Sequence, residues 1–264
     1  MNGIPKSYAG VLAVPTQGCG YLPGNHGEGI SFRLCQAPYG ALNLKSRLAP
    51  YINQIRMMPE SSALTLRHAY RTSRNHESAR RLVLLHGSGS NENDLFNFCL
   101  SYLNVDFNVL SLRAPSKSTN ENGYQWYEVG GDSNQYDCRL LKEDLLGMSA
   151  EIALEKTVLL GFSQGAAIAY KAAIDLPLAG LCICSGYPLD EVKTPQKMPP
   201  TLFIHGIHDE IVPFDKGLEL FERSRSRENV ALLSRFKGGH YIDLSQVSII
   251  QSYLHWCFAL HAPN

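Results

Sequence analysis

The sequence predicts an α/β fold in which a mainly parallel central sheet carries helices on both faces. From Leu64 onward, short apolar runs alternate with longer segments whose apolar residues recur at helical spacing. An apolar run without alternation is typical of a strand buried on both faces, and such strands belong to parallel sheets covered by their connecting helices. Ligands bind at the carboxyl ends of the strands in these sheets, so the residues after each strand are the candidates for a site.

Six apolar runs between residues 81 and 236 are the predicted strands. They are Arg81–Leu85, Val109–Leu112, Thr157–Leu160, Ala179–Cys184, Thr201–Ile204 and Val230–Phe236. Five segments with helical spacing are the predicted helices. These are Asn91–Leu103, Leu140–Met148, Ala166–Ile174, Lys216–Arg225 and Ser245–Phe258. In the first helix, the apolar residues on one face are Leu95, Phe96, Cys99 and Leu103.

The first 62 residues differ from the rest of the chain in composition and periodicity. They are rich in Gly, Pro, Asn and Gln, and only Leu42–Met57 has a trace of helical spacing, which Pro50 interrupts. The segment Met58–Ser62 is typical of a linker. We therefore expect an extension over residues 1–62 of unknown role, with a disordered tail or a loosely packed strap as the simplest interpretation. An α/β domain is expected over residues 63–264.

The charge balance and the cysteines bear on partners and location. The 264 residues include 24 basic and 24 acidic side chains, so nothing in the net charge favours binding to nucleic acid or to an anionic membrane. The seven cysteines form no C-x-x-C pair and no N-x-S/T site occurs, which favours a reducing compartment. The apolar stretch Val11–Val14 is too short for a signal peptide or a membrane span. We expect a cytoplasmic protein without a transmembrane segment.

The segment Gly161-Phe162-Ser163-Gln164-Gly165 carries the strongest chemical signal in the sequence. It lies between a predicted strand and a helix that begins near Gln164, as the G-x-S-x-G motif requires. In that context a sharp turn pushes the serine hydroxyl out at the edge of the sheet, and the two glycines avoid collisions with neighbouring backbone. Ser163 is therefore the candidate nucleophile, and it needs a base that removes its proton.

His240 is the candidate base, and Asp209 is the candidate acid that orients it. Both follow predicted strands, so they lie on the same edge of the sheet as the serine, in the chain order serine, acid, histidine. His240 follows Gly238-Gly239, which permit a tight loop, whereas His205 ends a strand and is expected to pack or hydrogen-bond there. A carboxylate beside an imidazole fixes its tautomer and stabilises the imidazolium. The less favoured acids are Glu210, Asp215 and Asp190, and a loop or helix cap is the alternative role of Asp209.

Two backbone N–H groups are candidates for binding an oxyanion. The glycine-rich loop after the first predicted strand offers the N–H of Ser88, and the N–H of Gln164 lies at the start of a helix. The loop lacks the lysine of a phosphate-binding loop and does not match G-x-G-x-x-G, so nucleotide binding is not expected. His205, His208 and Asp209 match no recognised metal-ligand spacing, and neither a metal nor a cofactor is predicted.

Taken together, these motifs resemble the phospholipase/carboxylesterase family of α/β-hydrolases, which includes acyl-protein thioesterases and small bacterial carboxylesterases. The resemblance covers about Leu64 to Phe258, with the motifs in the family's order. They are Leu85-His86-Gly87-Ser88-Gly89, Asn91–Leu95, Arg113-Ala114-Pro115, Trp126-Tyr127, Gly161-Phe162-Ser163-Gln164-Gly165, His205-Gly206 with Asp209 and Val212-Pro213, and Gly238-Gly239-His240.

The resemblance implies an α/β-hydrolase fold without a cofactor, and a serine hydrolase that cleaves carboxylic ester or thioester bonds. The residues it implies are the triad Ser163, Asp209 and His240, the oxyanion donors Ser88 and Gln164, and Trp126 as a wall of the substrate pocket. For Trp126 a buried aromatic pair with Tyr127 is the alternative. The expected substrate is a small-molecule or lipid-like acyl ester, or an S-acylated protein. A catalytically silent binding protein with the same fold is the alternative function, and residues 1–62 as a regulatory interaction module form a third hypothesis.

Overall fold

The computed structural model describes residues 66–118, 123–128, 138–189, 197–226 and 229–260, and their core is a seven-stranded, mainly parallel sheet. In chain order the strands are β1 (Tyr70–Ser73), β2 (Arg81–Leu85), β3 (Asn108–Leu112), β4 (Ser116–Lys117), β5 (Tyr124–Gln125), β6 (Thr157–Phe162), β7 (Gly180–Cys184), β8 (Thr201–Gly206) and β9 (Ala231–Phe236). The large sheet has the order β1-β3-β2-β6-β7-β8-β9, and β4 and β5 form a separate antiparallel pair. The predicted extension over residues 1–62 lies outside the described residues.

Within the residues that the structure describes, five α-helices cover the two faces of the sheet. They are α1 (Asn93–Tyr102), α2 (Arg139–Met148), α3 (Gln164–Ala173), α4 (Phe214–Ser224) and α5 (Val247–Leu260). Leu141 of α2, Ile168 of α3 and Leu220 of α4 belong to the hydrophobic cluster on one face. Leu95 of α1 and Leu254 of α5 belong to the cluster on the other face. Helices on both faces bury the central strands, and every residue of β2, β6, β7 and β8 is buried.

The predicted elements are confirmed, with every end within two residues of the observed one. The predicted α/β class with a mainly parallel sheet is confirmed as well. The clearest difference is β1, whose residues Tyr-Arg-Thr-Ser are half-buried and contain no apolar run. Its backbone forms a strand because it pairs antiparallel with β3, from Tyr70 opposite Leu112 to Ser73 opposite Val109. That pairing depends on a partner more than 30 residues away in the chain, so local periodicity does not reveal it.

Parallel pairing brings the loops after four strands to one edge of the sheet. β2 pairs in parallel with β6, and β8 pairs in parallel with β9, so that Gly206 lies opposite Phe236. The segments that follow β2, β6, β8 and β9 contain all the predicted nucleophile, base, acid and oxyanion positions. Within the described ranges, none of the helices has the length and apolar character needed to cross a bilayer.

Candidate active site

Ser163 sits in a strained turn directly between β6 and α3. Its φ of 53° and ψ of −118° fall in a region that non-glycine residues rarely adopt. The turn is held by the Ser163 N–H, which donates to the Cys184 carbonyl oxygen at 2.9 Å. On the other side, the Ser163 carbonyl oxygen accepts from the N–H groups of Ala166 and Ala167 at 3.0 and 3.1 Å. Such strain at a strand-to-helix turn is typical of a nucleophile that must project from the sheet.

Both glycines of the motif are required by close backbone approach, as predicted. A Cβ atom on Gly161 would lie 2.5 Å from the carbonyl oxygen of Gly165, at the start of α3. A Cβ atom on Gly165 would lie 2.2 Å from the carbonyl oxygen of Leu85, at the end of β2. Neither approach is possible for a residue with a side chain unless backbone moves. The two glycines therefore let β2, β6 and α3 pack closely around the serine.

Ser163, His240 and Asp209 form an unbroken chain of hydrogen bonds. The Nε2 atom of His240 lies 2.9 Å from Ser163 Oγ, and its Nδ1 atom lies 2.8 Å from Asp209 Oδ2. Because a carboxylate only accepts, Nδ1 carries the proton, and Nε2 is left to accept from the serine hydroxyl. The ring of Phe162 packs against the imidazole with 4.8 Å between centroids. The histidine side chain is consequently held on both edges and on a face.

The carboxylate of Asp209 is fully buried and surrounded by donors. Its Oδ1 atom accepts from the N–H groups of Ile211 at 3.0 Å and Val212 at 2.8 Å, while Oδ2 faces His240. Burial acts to raise the pKa of Asp209, but hydrogen bonds from His205, His240 and the Val212 N–H outweigh it, so the pKa lies below its usual range. Asp209 is therefore ionised beside His240 at neutral pH, as well as bonded within its own loop.

Two of the other candidate acids lie in the described residues, and neither is hydrogen-bonded to His240, whose Nδ1 atom faces Asp209. Glu210 and Asp215 are exposed to solvent, and Asp215 lies in the first turn of α4. Asp190 lies outside the described residues. Of the acids weighed from the sequence, the structure brings Asp209 to His240.

The loop after β2 lies against the serine and presents the Ser88 amide. A Cβ atom on Gly87 would be 3.5 Å from the Cβ of Ser163. The Gly87 carbonyl oxygen is bound by His86 Nδ1 at 2.7 Å and by the Ser90 N–H at 3.3 Å. In a trans peptide the next N–H points opposite to that carbonyl, so these two contacts set the direction of the Ser88 N–H.

The second oxyanion candidate, the N–H of Gln164, begins α3. The first N–H groups of a helix have no partner within the helix, and within the described ranges this one makes no other hydrogen bond. The side chain of Gln164, in contrast to its N–H, is hydrogen-bonded at both of its polar atoms. Its Oε1 atom accepts from the Trp126 N–H, and its Nε2 atom donates to the Tyr127 carbonyl oxygen, both at 2.8 Å. This pair of bonds ties the start of α3 to the segment after β5.

Trp126 is buried, with 7% of its surface exposed, and its indole N–H donates to the His86 carbonyl oxygen at 2.8 Å. It thus packs behind the loop of Ser88 and beside Gln164, in the same hydrophobic cluster as Tyr127. The structural roles of the His86 ring and of the Gln164 side chain were missed by sequence reasoning. No local signal could have found them, because their partners are distant in the chain. The His86 ring accepts from the Ala114 N–H, 28 residues away, and the Gln164 side chain accepts from the Trp126 N–H, 38 residues away.

The histidine-rich segment after β8 does not form a metal site. His208 is exposed, whereas His205 is buried and its Nε2 atom lies 2.8 Å from the Val212 carbonyl oxygen. Across the part of the chain that the structure describes, no three His, Cys, Asp or Glu side chains are grouped so as to hold a metal ion.

The sequence profile of the chain identifies its family. Residues 68–258 match the sequence profile of the phospholipase/carboxylesterase family of α/β-hydrolases, which is well over half of the chain. The chain belongs to this family. Membership confirms the resemblance drawn from the motifs, and the family is one of carboxylic ester hydrolases.

Solved structures similar to this phospholipase/carboxylesterase family member include enzymes from bacteria and plants. The Bacillus cereus carboxylesterase superposes with a TM-score of 0.62 at 18% identity, over 73% of this chain and 95% of that one. Esterase PE8 gives a TM-score of 0.58 at 24% identity, over 68% and 93% of the two chains. Zea mays acyl-protein thioesterase 2 gives 0.56 at 18% identity, over 72% and 99%. At these identities the likeness establishes the α/β-hydrolase fold.

Proposed function

We propose that this protein is a serine hydrolase that cleaves carboxylic ester or thioester bonds through an acyl-enzyme intermediate. Ser163 is the nucleophile, His240 the general base and Asp209 the group that orients the base. The observation that carries the proposal is the chain of hydrogen bonds from Ser163 Oγ through His240 to Asp209, at 2.9 and 2.8 Å. Membership of a carboxylic ester hydrolase family supports the same class of reaction.

In the first half of the reaction, Ser163 Oγ attacks the carbonyl carbon of the substrate and its proton moves to His240 Nε2. The positive charge that forms on the imidazole faces Asp209, whose lowered pKa keeps it ionised at neutral pH. The oxyanion of the tetrahedral intermediate accepts hydrogen bonds from the N–H groups of Ser88 and Gln164. His240 then returns the proton to the leaving alcohol or thiol as the carbon–oxygen or carbon–sulfur bond breaks.

In the second half, water takes the place of the leaving group. His240 removes a proton from that water, which attacks the acyl carbon and passes through a second oxyanion held by the same two N–H groups. The proton then returns to Ser163 Oγ, and the carboxylic acid leaves. No redox or metal step is needed to balance either half.

The proposed substrate is a small-molecule or lipid-like acyl ester, with an S-acylated protein as the thioester counterpart. Trp126 is proposed as a wall of the substrate pocket, since its indole N–H donates to the His86 carbonyl oxygen beside the loop of Ser88 and its backbone N–H donates to the side chain of Gln164. Aryl esters of increasing acyl length, compared with the matching thioesters, separate a short-chain carboxylesterase from a long-chain thioesterase or lysophospholipase. A Trp126→Ala variant that changes the preferred length supports the pocket role, and an unchanged profile contradicts it.

The experiment that tests the proposal is labelling with a fluorophosphonate, followed by intact mass analysis. This probe reacts with a serine only where a base and an oxyanion site are assembled around it. A single adduct on the wild type and none on Ser163→Ala is the expected result. Folded wild-type protein that stays unlabelled contradicts the proposal and favours a silent binding protein of the same fold.

The proposed catalytic unit is residues 63–264. A chain that lacks residues 1–62 is expected to label and to hydrolyse aryl esters like the full chain. A large change in activity on deletion would instead support the hypothesis that the extension is a regulatory module.

A further inference from the structure

A second histidine lies behind the proposed acid. His205 is the next-to-last residue of β8, only 2% of it is exposed, and it is not part of the chain from Ser163 to Asp209. Its Nε2 atom lies 2.8 Å from the Val212 carbonyl oxygen and 3.5 Å from Asp209 Oδ2. Because a carbonyl oxygen only accepts, Nε2 must carry a proton. That N–H is therefore directed at the loop of Asp209.

The backbone of Val212 links His205 to the carboxylate of Asp209. Its N–H donates to Asp209 Oδ1 at 2.8 Å, and its carbonyl oxygen is bound by His205. Val212 is thus held at both polar groups, one by each side chain. The Oδ2 atom of Asp209, which bonds to His240, is also the carboxylate oxygen that lies 3.5 Å from His205 Nε2. Movement of His205 would release the loop that orients this carboxylate.

The opposite side of the His205 ring is fixed by α4. A Cβ atom on Gly217 would lie 2.1 Å from His205 Nδ1, so the bare backbone of the helix is in contact with the ring. The ring of Phe214 meets the imidazole edge-on, with 5.8 Å between centroids and an angle of 85°. The ring consequently has a single position, set by the helix on one side and by the Asp209 loop on the other.

We infer that His205 is a positioning residue for Asp209, which through Val212 and its own N–H keeps Oδ2 facing His240. It acts through Asp209 and contacts neither Ser163 nor the oxyanion donors. The inference rests on the proposed function, because the orientation of Asp209 matters for turnover only if His240 is the base.

The first test compares His205→Leu with His205→Gln on an aryl ester. Leucine fills similar space without a donor, whereas the Nε2 atom of glutamine can replace that of the imidazole. His205→Leu is expected to lower kcat by about 10- to 100-fold with KM changed by less than about threefold, as for a displaced catalytic group. His205→Gln is expected to recover most of kcat. Equal losses in the two variants, or a change confined to KM, would overturn the inference.

The second test asks whether His205 acts through Asp209. In an Asp209→Asn background the carboxylate is already lost, so adding His205→Leu should lower kcat by less than about threefold further. A merely structural role predicts that the two losses multiply. Urea unfolding of each variant shows which of them fold and are to be compared.

The third test moves the ring without changing it. Gly217→Ala pushes a methyl group into His205 Nδ1, and it is expected to lower kcat about tenfold although alanine favours a helix. Gly147→Ala in α2 is the matched control, since nothing lies within 4 Å of a Cβ atom there. Wild-type kcat in Gly217→Ala, with a crystal structure of that variant showing the His205 ring displaced, would contradict the inference.

A readout without turnover separates this inference from the proposed function. The proton of the hydrogen bond between His240 Nδ1 and Asp209 Oδ2 is expected to give a downfield NMR resonance, which Asp209→Asn should remove. His205→Leu should shift or broaden it, and His205→Gln should retain it. If the wild type hydrolyses no ester but the resonance responds in this way, the proposed function fails and the inference stands. If esters are hydrolysed and both kcat and the resonance ignore His205→Leu, the inference fails and the proposed function stands.

Discussion

The Nε2 atom of His86 accepts a hydrogen bond from the backbone N–H of Ala114 across 3.0 Å. Its Nδ1 atom lies 2.7 Å from the Gly87 carbonyl oxygen, which only accepts, so Nδ1 carries the proton and the tautomer of the ring is determined. Burial lowers the pKa of His86 to about 4, so the ring is neutral at pH 7. A neutral, buried imidazole thus bridges the end of β3 to the loop that presents the Ser88 N–H.

Replacing His86 should impair turnover more than substrate binding. In His86→Leu the Gly87 carbonyl oxygen loses the shorter of its two hydrogen bonds and keeps only the 3.3 Å bond from the Ser90 N–H, so the direction of the Ser88 N–H is less firmly fixed. We expect kcat to fall by about 10- to 100-fold, less than or equal to the loss of a whole oxyanion donor. KM for an aryl ester should change little. Steady-state kinetics check this, with the exposed His76→Leu as a control. Equal kcat in the two variants would contradict the role of His86.

His86 also predicts a loss of stability in acid. Its folded pKa of about 4 lies below the value of 6.5 for an unperturbed histidine, so the unfolded chain binds the proton more readily. The contribution of neutral His86 to the free energy of unfolding is fully present above about pH 6.5 and is lost as the pH falls towards 4. It amounts to about 3 kcal/mol over that range. Between pH 7 and pH 5, the free energy of unfolding measured in urea should fall by about 2 kcal/mol more for the wild type than for His86→Leu. An equal fall in the two proteins would contradict this role of His86.

The ionisation of Asp94 should change the free energy of unfolding with pH in the opposite direction. It lies in the first turn of α1 and accepts from the Ser90 hydroxyl, and burial raises its pKa to about 6. Since the folded pKa exceeds the unfolded value of 3.8, ionisation destabilises the native state as the pH rises from about 4 through 6. Asp94→Asn should therefore be more stable than the wild type by about 3 kcal/mol at pH 7. The gain should vanish near pH 4, and a gain independent of pH would exclude this cause.

The side chain of Gln164 should matter separately from its N–H. Gln164→Glu keeps the backbone donor but places a carboxylate oxygen against the Tyr127 carbonyl oxygen in a buried position. We expect the free energy of unfolding to fall by about 1 to 3 kcal/mol, with kcat reduced about tenfold because Trp126 and the start of α3 separate. Gln251→Glu, whose amide donates to the Asn104 carbonyl oxygen at the surface, is the matched control. Similar losses of stability and of kcat in both variants would argue against a link between α3 and the Trp126 segment through the Gln164 side chain.

The strain at Ser163 should be measurable as stability. Ser163→Gly relieves a φ of 53°, whereas Ser163→Ala retains it, and both variants lose the hydroxyl. Ser163→Gly is expected to be the more stable of the two by about 1 kcal/mol in urea unfolding. At Ser149, whose φ is −66°, the order should reverse, with alanine more stable than glycine. The same order at both positions would show that the turn is unstrained.

Local sequence by itself determined most elements of this fold. Unbroken apolar runs predicted that β2, β6, β7 and β8 are buried along their whole length, because both faces of a central parallel strand are covered. The segment Gly161-Phe162-Ser163-Gln164-Gly165 likewise identified its strand, turn and helix. The collision that requires Gly161 is with the helix that follows it, whereas the collision that requires Gly165 is with the distant end of β2. The chain order of serine, acid and histidine singled out Asp209 and His240 through a rule of the fold.

Tertiary structure alone decided which side chains support those residues. β1 exists because β3 offers it a free edge, 30 or more residues along the chain. The roles of the His86 ring, of the Gln164 amide and of His205 depend on where backbone carbonyl and N–H groups point, and those directions follow from how distant loops meet at the edge of the sheet. Periodicity records burial along a single element, whereas a hydrogen bond needs the position of a second element, and only folding brings the two together.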